Sequence, residues 1–410
     1  MRDASGGGFT QRASGVIVPL MPALPARIRD TAAPPIPAAR AWAARYRGQA
    51  GRVLDLTQAV PGYPPHPELL ARLAEAAGSR EGAAYGPIAG EAALREALAA
   101  DLCAAYGAEV GAGEVAITAG CNLAFVMAMT VLAEAGDAVL LPTPWYFNHQ
   151  MALSMQGVRA VPLPCDAASG FLPDPDRLAA AIAAHRPRAL VLVSPNNPTG
   201  AVASPELIRR VFETCRAAGV WLVLDETYRD FLAPGSGAPH DLFRDPAWRE
   251  GLVHLYSFSK AYCVPGHRLG AVAAGPDFLR ELAKVLDTLQ ICPPRAAQLA
   301  MAWAVPALRE WRAGNRATMV ERAEAFRAGV GRLPGWRLDS LGSFFAYLRL
   351  PEGAPDAPAV AEMLAAERGL LTLPGPFFGP GQARYLRLAF ANAGLDTIAE
   401  LPGRMQEALA

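Results

Sequence analysis

Lysine is almost missing from this 410-residue chain: of its 38 Lys and Arg residues only two, Lys260 and Lys284, are lysine. Other absences exclude whole classes of protein. Formal net charge is zero, so no basic field marks a nucleic-acid footprint or a cationic membrane face. No run approaches the ~20 consecutive apolar residues that a membrane-spanning helix needs. The apolar run at 15–26, GVIVPLMPALPA, is short and broken by three prolines, which argues against a secretion leader. The six cysteines, at 103, 121, 165, 215, 263 and 292, form no CxxC pair and no Cys–His ligand spacing. They read as reduced thiols of a cytoplasmic protein without a metal site.

What is present is globular and large. The chain exceeds the ~250–300 residues at which one hydrophobic core stops growing, so two domains are expected. Residues 1–37 are rich in Gly, Ala and Pro and read as a tail or arm, and 38–48 look helical. From about 90 to 275, buried strands (VAIT 115–118, AVLL 138–141, ALVLVS 189–194, VWLVLD 220–225, LVHLYS 252–257) alternate with helices at 91–107, 121–135 and 204–218. In the last of these Ser204 suits the N-cap, Pro205 the first turn and Gly219 the stop. This alternation predicts an α/β domain with a doubly wound, mainly parallel sheet over about 60–290. After about 290 the texture changes. A long helical stretch, 295–331, leads into the strand-like WRLD, FFAYLRL and RYLRLAFA, with a helix at 358–368. A smaller α+β domain is expected from 291–410, completed by 38–59.

Five segments carry chemistry. ITAGCN (117–122) reads as strand, glycine and helix start, which offers backbone N–H groups and a positive helix end to a phosphate. SPNNPTG (194–200) is a rigid turn at the carboxyl end of a buried strand, where α/β ligand sites lie, and Asn197 brings a side-chain amide. DETY (225–228) ends the next strand, and a carboxylate there needs a cationic partner. That partner is either a structural arginine or a protonated pyridine nitrogen. SFSKAYCVPGHRLG (257–270) groups Ser257, Lys260 and Arg268: two phosphate ligands around an amine that, unlike a guanidinium, can condense with an aldehyde. A solvated surface lysine is the plain alternative, and it explains poorly why one of only two lysines sits here. In YLRLAFAN (385–392) Arg387 lies in an apolar strand, either paired internally or reading a carboxylate.

In combination these motifs resemble the class I/II aminotransferases, fold-type I enzymes dependent on pyridoxal 5′-phosphate (PLP), from about residue 54 to the C-terminus. The resemblance implies that Lys260 holds PLP as a Schiff base and shuttles the proton, that Asp225 pairs with the ring nitrogen, and that Tyr228 and Asn197 bond the ring hydroxyl. It implies that Tyr146 stacks on the ring, that Gly120, Cys121, Ser257 and Arg268 hold the phosphate, and that Arg387, Asn197 and the backbone of Ala59 take the substrate carboxylate. Tyr85 matches a tyrosine that reaches the neighbouring subunit's phosphate, which implies a homodimer with shared sites. Two positions depart from the family: Ala59 and Cys121 stand where glycine is usual or frequent.

The expected activity is transfer of an amino group from an L-amino acid to a 2-oxo acid. Other PLP reactions on the same scaffold, a lyase, an ACC-synthase-like closure or a cyclase, are the alternatives. A PLP-binding regulatory module would need a DNA-binding extension for which the first 50-odd residues are too short and too rich in Pro and Gly. The segment LDTLQI before CPP (292–294) places Asp287 near a position where aspartate-specific relatives carry an arginine. Asp287 is therefore read either as a solvated helix residue or as a feature that disfavours dicarboxylate donors.

Overall fold

The structure, a computed structural model, describes residues 23–407; the apolar run beginning at residue 15 lies largely outside them. In chain order the strands are β1 (Leu54–Asp55), β2 (Val115–Thr118), β3 (Ala138–Thr143), β4 (Arg159–Pro164), β5 (Ala189–Val193), β6 (Trp221–Asp225), β7 (Leu252–Ser257), β8 (Gly270–Ala274), β9 (Arg337–Gly342), β10 (Phe345–Arg349), β11 (Leu370–Leu371), β12 (Leu373–Pro374) and β13 (Tyr385–Ala389). Seven form one sheet in the order β2-β8-β7-β6-β5-β3-β4. β8 runs antiparallel to β2 and β7, and the other pairings are parallel. This is the mainly parallel, doubly wound α/β architecture expected.

The central strands are largely apolar because both faces are covered, and His254 inside β7 is paired with Glu226. Successive residues alternate between two cores: Leu190, Leu192, Leu222 and Leu224 pack on one side, Val191, Val223, Val253 and Leu255 on the other. Each such side chain contributes about 1.5–3 kcal/mol by leaving water. The crossover helix Pro205–Ala217 forms as its sequence dictates: the Ser204 hydroxyl accepts from Leu207 N, and Ile208, Val211, Phe212 and Cys215 are buried along one face.

Two strands of the large sheet, and the short β11 and β12, were not foreseen. β4 carries Pro162 and Pro164, which is tolerable because β4 is an edge strand. β8, GAVAA, is made of small residues with no strong strand signal. The helical stretch 295–331 is two helices, Arg295–Ala307 and Arg309–Gly329, broken at Leu308 just after Pro306.

A second sheet, β12-β13-β10-β9, is antiparallel and has its own core around Phe326, Phe345, Leu348, Leu386, Leu388, Phe390 and Leu401. β1 pairs in parallel with β11, so the segment after residue 50 is tied to the C-terminal part of the chain. Upstream, the helix Pro35–Ala43 packs with Pro35 and Ala39 buried. Among the described residues no helix is long and apolar enough to cross a membrane, and no group of three or more His, Cys, Asp or Glu could hold a metal.

Candidate active site

Val193, Asp225 and Ser257 end three neighbouring strands, β5, β6 and β7, on the same edge of the sheet. The cleft beyond them, of about 790 Å³ and open to solvent, is lined by Cys121, Tyr146, Asn197, Asp225, Tyr228, Ser257, Lys260, Arg268, Arg387 and Ala59, all expected from the sequence. Residues separated by more than 300 positions thus meet where an open α/β sheet places its ligands.

Lys260 sits on the short helix Phe258–Ala261 that follows Ser257, and Ser257 Oγ accepts from Ser259 N at 3.3 Å. Among the described residues no carboxylate lies within ion-pair distance of the lysine amine. Burial first, then the Arg268 and Arg387 guanidiniums, bring its pKa down from 10.5 to about 8. Near neutral pH roughly a tenth of the amine is therefore neutral and nucleophilic, far more than for an ordinary lysine.

Asp225 is 4% exposed at the end of β6. Among the described residues no arginine pairs with it. Its Oδ2 lies 3.2 Å from His149 Nε2, and its Oδ1 accepts from Thr227 N at 2.9 Å. Burial disfavours the charged carboxylate, but His149 and Thr227 outweigh burial and hold the pKa below the ordinary value. His149 is itself fixed by stacking on Phe125, centroids 4.1 Å apart. The Cys121 thiol is 4.0 Å from Asp225 Oδ1 and accepts from the Thr227 hydroxyl at 3.4 Å.

The helix Cys121–Leu132 begins at Gly120 with no side-chain cap, which leaves its first N–H groups without an intrahelical partner. Gly120 adopts φ +96°, and a Cβ there would lie 2.1 Å from Arg268 Nη2. Arg268 is itself left-handed (φ +53°), and its Nη1 donates to Pro265 O at 2.9 Å. Helix end, Arg268 and Ser257 make a cradle for an anion.

Arg387, on β13, is 2% exposed. It donates from Nη1 to Asn197 Oδ1 at 3.2 Å and from Nη2 to the Thr57 carbonyl, and its Nε is buried without a partner. Burial lowers its pKa to about 10. Asn197 Nδ2 donates to Tyr228 Oη at 3.4 Å, and Tyr228 packs edge-on against Phe344 and Phe345. Tyr146 Oη accepts from Asn148 Nδ2 at 2.9 Å.

Gly120 adjoins the cleft without lining it. Tyr85 is not brought there: it is 79% exposed on its own chain. Asp287 is exposed on the helix Pro276–Gln290, outside the cleft of its own chain; Lys284 on the same helix is exposed and paired with Glu281. The sequence reading missed His149, which pairs with Asp225, and the lining residues Thr57, Gln58, Thr227, Asn122, Phe147, Val193, Ser259 and Ile36. Only His149 had a usable signal. A carboxylate ending a buried strand needs a partner, and the chain has just six histidines.

The donor set fits PLP: a neutralisable amine for the aldehyde, a buried carboxylate for the ring nitrogen, and a helix end with Arg268 and Ser257 for the phosphate. Fold and site define a fold-type I PLP enzyme. Residues 52–404 match the family described as aminotransferase class I and II. The aromatic aminotransferase ISS1 of Arabidopsis thaliana is 30% identical over 348 residues, 83% of this chain and 85% of that one. The valine–pyruvate aminotransferase of Mycobacterium tuberculosis is 30% identical over 349 residues, 83% and 88%. Among solved structures, the aspartate aminotransferase of Thermus thermophilus with maleate superposes with TM-score 0.85 at 26% identity, covering 95% of this chain and 100% of that one. The chain belongs to the class I and II aminotransferase family, and it is a PLP-dependent aminotransferase acting on amino acids and 2-oxo acids.

Proposed function

We propose that the cleft transfers the amino group of L-amino acids with neutral, chiefly apolar or aromatic, side chains, and that Lys260, Asp225 and Arg387 carry the reaction. When bound, PLP supplies an aldehyde to capture the amine and an electron-withdrawing ring to stabilise the carbanion at the substrate Cα. The protein does the rest. Lys260 Nζ, whose pKa is brought down to about 8 by burial, would take the proton from the substrate Cα and carry it to the other end of the 1,3-shift. Asp225, kept ionised by His149 and Thr227, holds a proton on the ring nitrogen. Tyr228 and Asn197 fix the ring hydroxyl, Tyr146 covers one ring face, and Gly120, Cys121, Ser257 and Arg268 hold the phosphate. Arg387 grips the substrate carboxylate with its free Nε–H, and the backbone of Ala59 closes that end.

The donor preference rests on one observation. Among the described residues of one chain, the cations lining the cleft are Lys260, Arg268 and Arg387. With the first two committed to the cofactor, one guanidinium remains, enough for a single carboxylate. Ile36, Phe147 and Ala59 add apolar surface beside the uncharged polar side chains of Gln58 and Asn122. The printed activities of the aromatic and valine–pyruvate relatives support the same reading. Tyr85, exposed beside Ile88 (40% exposed), supports a homodimer in which it reaches the partner's phosphate. Six unpaired cysteines support a cytoplasmic location.

A donor screen with 2-oxoglutarate and pyruvate, read at the cofactor absorbance with keto-acid product identified, tests the reading. Phenylalanine, tyrosine, leucine or valine should exceed aspartate in kcat/KM by about tenfold or more, the cost of leaving a second carboxylate without its charge-assisted partner. Aspartate as best donor would refute the assignment. Ammonia in place of keto acid would favour a lyase.

A further inference from the structure

Behind the segment that carries Asp225 and Tyr228 lies a second cavity, of about 630 Å³ and separate from the cleft. Three arginines and two aspartates line it: Arg229, Arg312 and Arg316, with Asp101 and Asp230. Both carboxylates are already engaged. Asp101 accepts from Arg229 Nη2 at 2.6 Å and from Arg312 Nη2 at 2.9 Å. Asp230 accepts from Arg312 Nη1 at 2.6 Å and from Tyr256 Oη at 2.8 Å. Arg316 has no carboxylate partner among the described residues, and Arg309 adds a further guanidinium 3.9 Å from Asp101.

The donors are unfinished as well. Arg229 Nη1, Arg312 Nε and Arg316 Nε are buried without hydrogen-bond partners. Arg229 is 5% exposed and the Arg312 side chain 10%. Buried guanidinium N–H groups are rarely left unpaired, and the lining sets three guanidiniums against two carboxylates, so the partly exposed Arg316 is left without a counter-charge among the described residues. Two of the three guanidiniums are also held in place from behind, Arg229 over Tyr256 at 4.3 Å and Arg312 over Tyr262 at 5.3 Å, so the donors are preorganised.

We propose that this cavity is a second anion site, which takes a small oxyanion, the carboxylate or phosphate group of a metabolite, on Arg229, Arg312 and Arg316. Guanidinium edges recognise either group through paired N–H donors. An occupant reaches two elements at once. Arg229 and Asp230 follow Tyr228 directly, while Arg312 and Arg316 lie on the helix Arg309–Gly329, which packs into the second core through Met319 and Phe326. The anion thus fastens that helix to the strand end that carries the ring-nitrogen carboxylate.

Calorimetric titration of the PLP-loaded enzyme at constant ionic strength tests this, with inorganic phosphate and succinate as separate probes. Arg316→Gln lies at the partly exposed rim, away from the cleft, and should leave kcat and donor KM unchanged. Wild type should bind at least one probe saturably, and the variant should bind it about tenfold more weakly, the loss expected for one charge-assisted contact. Which probe binds tells carboxylate from phosphate. Arg316→Lys, which keeps the charge and guards against a folding failure, should weaken binding in the same direction. Succinate that binds only at Arg387 is untouched by these changes. No saturable binding of either probe below about 10 mM, or an affinity that Arg316→Gln leaves within about fivefold of wild type, overturns the proposal.

Discussion

Replacing Gly120 by alanine should cripple cofactor binding while leaving the fold nearly intact. Two effects add. At φ +96° an L-residue is strained by about 1–2 kcal/mol, a cost borne by the folded protein whether or not cofactor is present. The new methyl would also stand 2.1 Å from Arg268 Nη2, so the guanidinium must swing away from the helix end it faces. A displaced Arg268 forfeits a charge-assisted contact with the phosphate, about 1.5–3 kcal/mol, or roughly 10- to 150-fold in affinity. Fluorescence titration of apoprotein with PLP gives the dissociation constant, and urea unfolding of the apoprotein gives the strain alone. The expected pattern is a stability loss of about 1–2 kcal/mol with a tenfold or larger loss of PLP affinity. Unchanged affinity would show that Arg268 does not hold the phosphate. Equal losses in both measurements would show that Gly120 serves only the turn.

Lys260→Ala should abolish turnover and the bound cofactor's visible absorbance. In wild-type apoprotein, PLP capture followed by stopped-flow absorbance should rise with pH and level off above about 8, because the neutral amine is the nucleophile and burial lowers its pKa to that value; a rise continuing towards 10.5 would contradict the burial argument. His149→Asn should raise the Asp225 pKa towards the ordinary carboxylate value and reduce kcat by about 10- to 100-fold, while wild-type kinetics in that variant would reduce His149 to packing. His240, buried in the Tyr106–Glu226–His254 cluster, has its pKa pushed down by burial to about 4 from 6.5. The unfolded chain therefore takes the proton first, and stability present above pH 6.5 is lost as pH falls towards 4, by about 1–3 kcal/mol. Urea midpoints at about pH 7.5 and about pH 5 should fall in wild type and fall less in His240→Gln; parallel slopes would clear His240.

The sequence disclosed what short-range physics controls. β5, β6 and β7 announce themselves because strands covered on both faces are built mainly of apolar residues, and each leads into a segment that lines the cleft. Lys260, Asp225, Asn197 and Arg268 sit at those turns, so chain position and chemistry coincide. His149 was harder to place: the unpaired carboxylate of Asp225 called for a partner, but His149 lies in the first turn of the helix Phe147–Gln156, 76 residues earlier in the chain, and only the fold, which sets β3 beside β5, brings the two together. Arg387 was legible as a residue but not as a role, since the strand pattern is the same whether the guanidinium is paired internally or free, and in the structure Asn197 and Thr57 take two of its edges while Nε stays open. Tyr85 and Asp287 lie outside the cleft of their own chain, where intrachain packing carries no information about them.

The scarcity of lysine makes this enzyme a nearly blank canvas for amine-directed chemistry. Lys260 is sequestered in the cleft, while Lys284 stands exposed on its helix, far along the chain from the catalytic turn. Among side chains, an acylating dye or a surface-coupling ester therefore meets one open address, Lys284, and a second that opens only when the cofactor leaves. Peptide mapping after such labelling would report cofactor occupancy as a ratio of two modified lysines, with no residue introduced or removed.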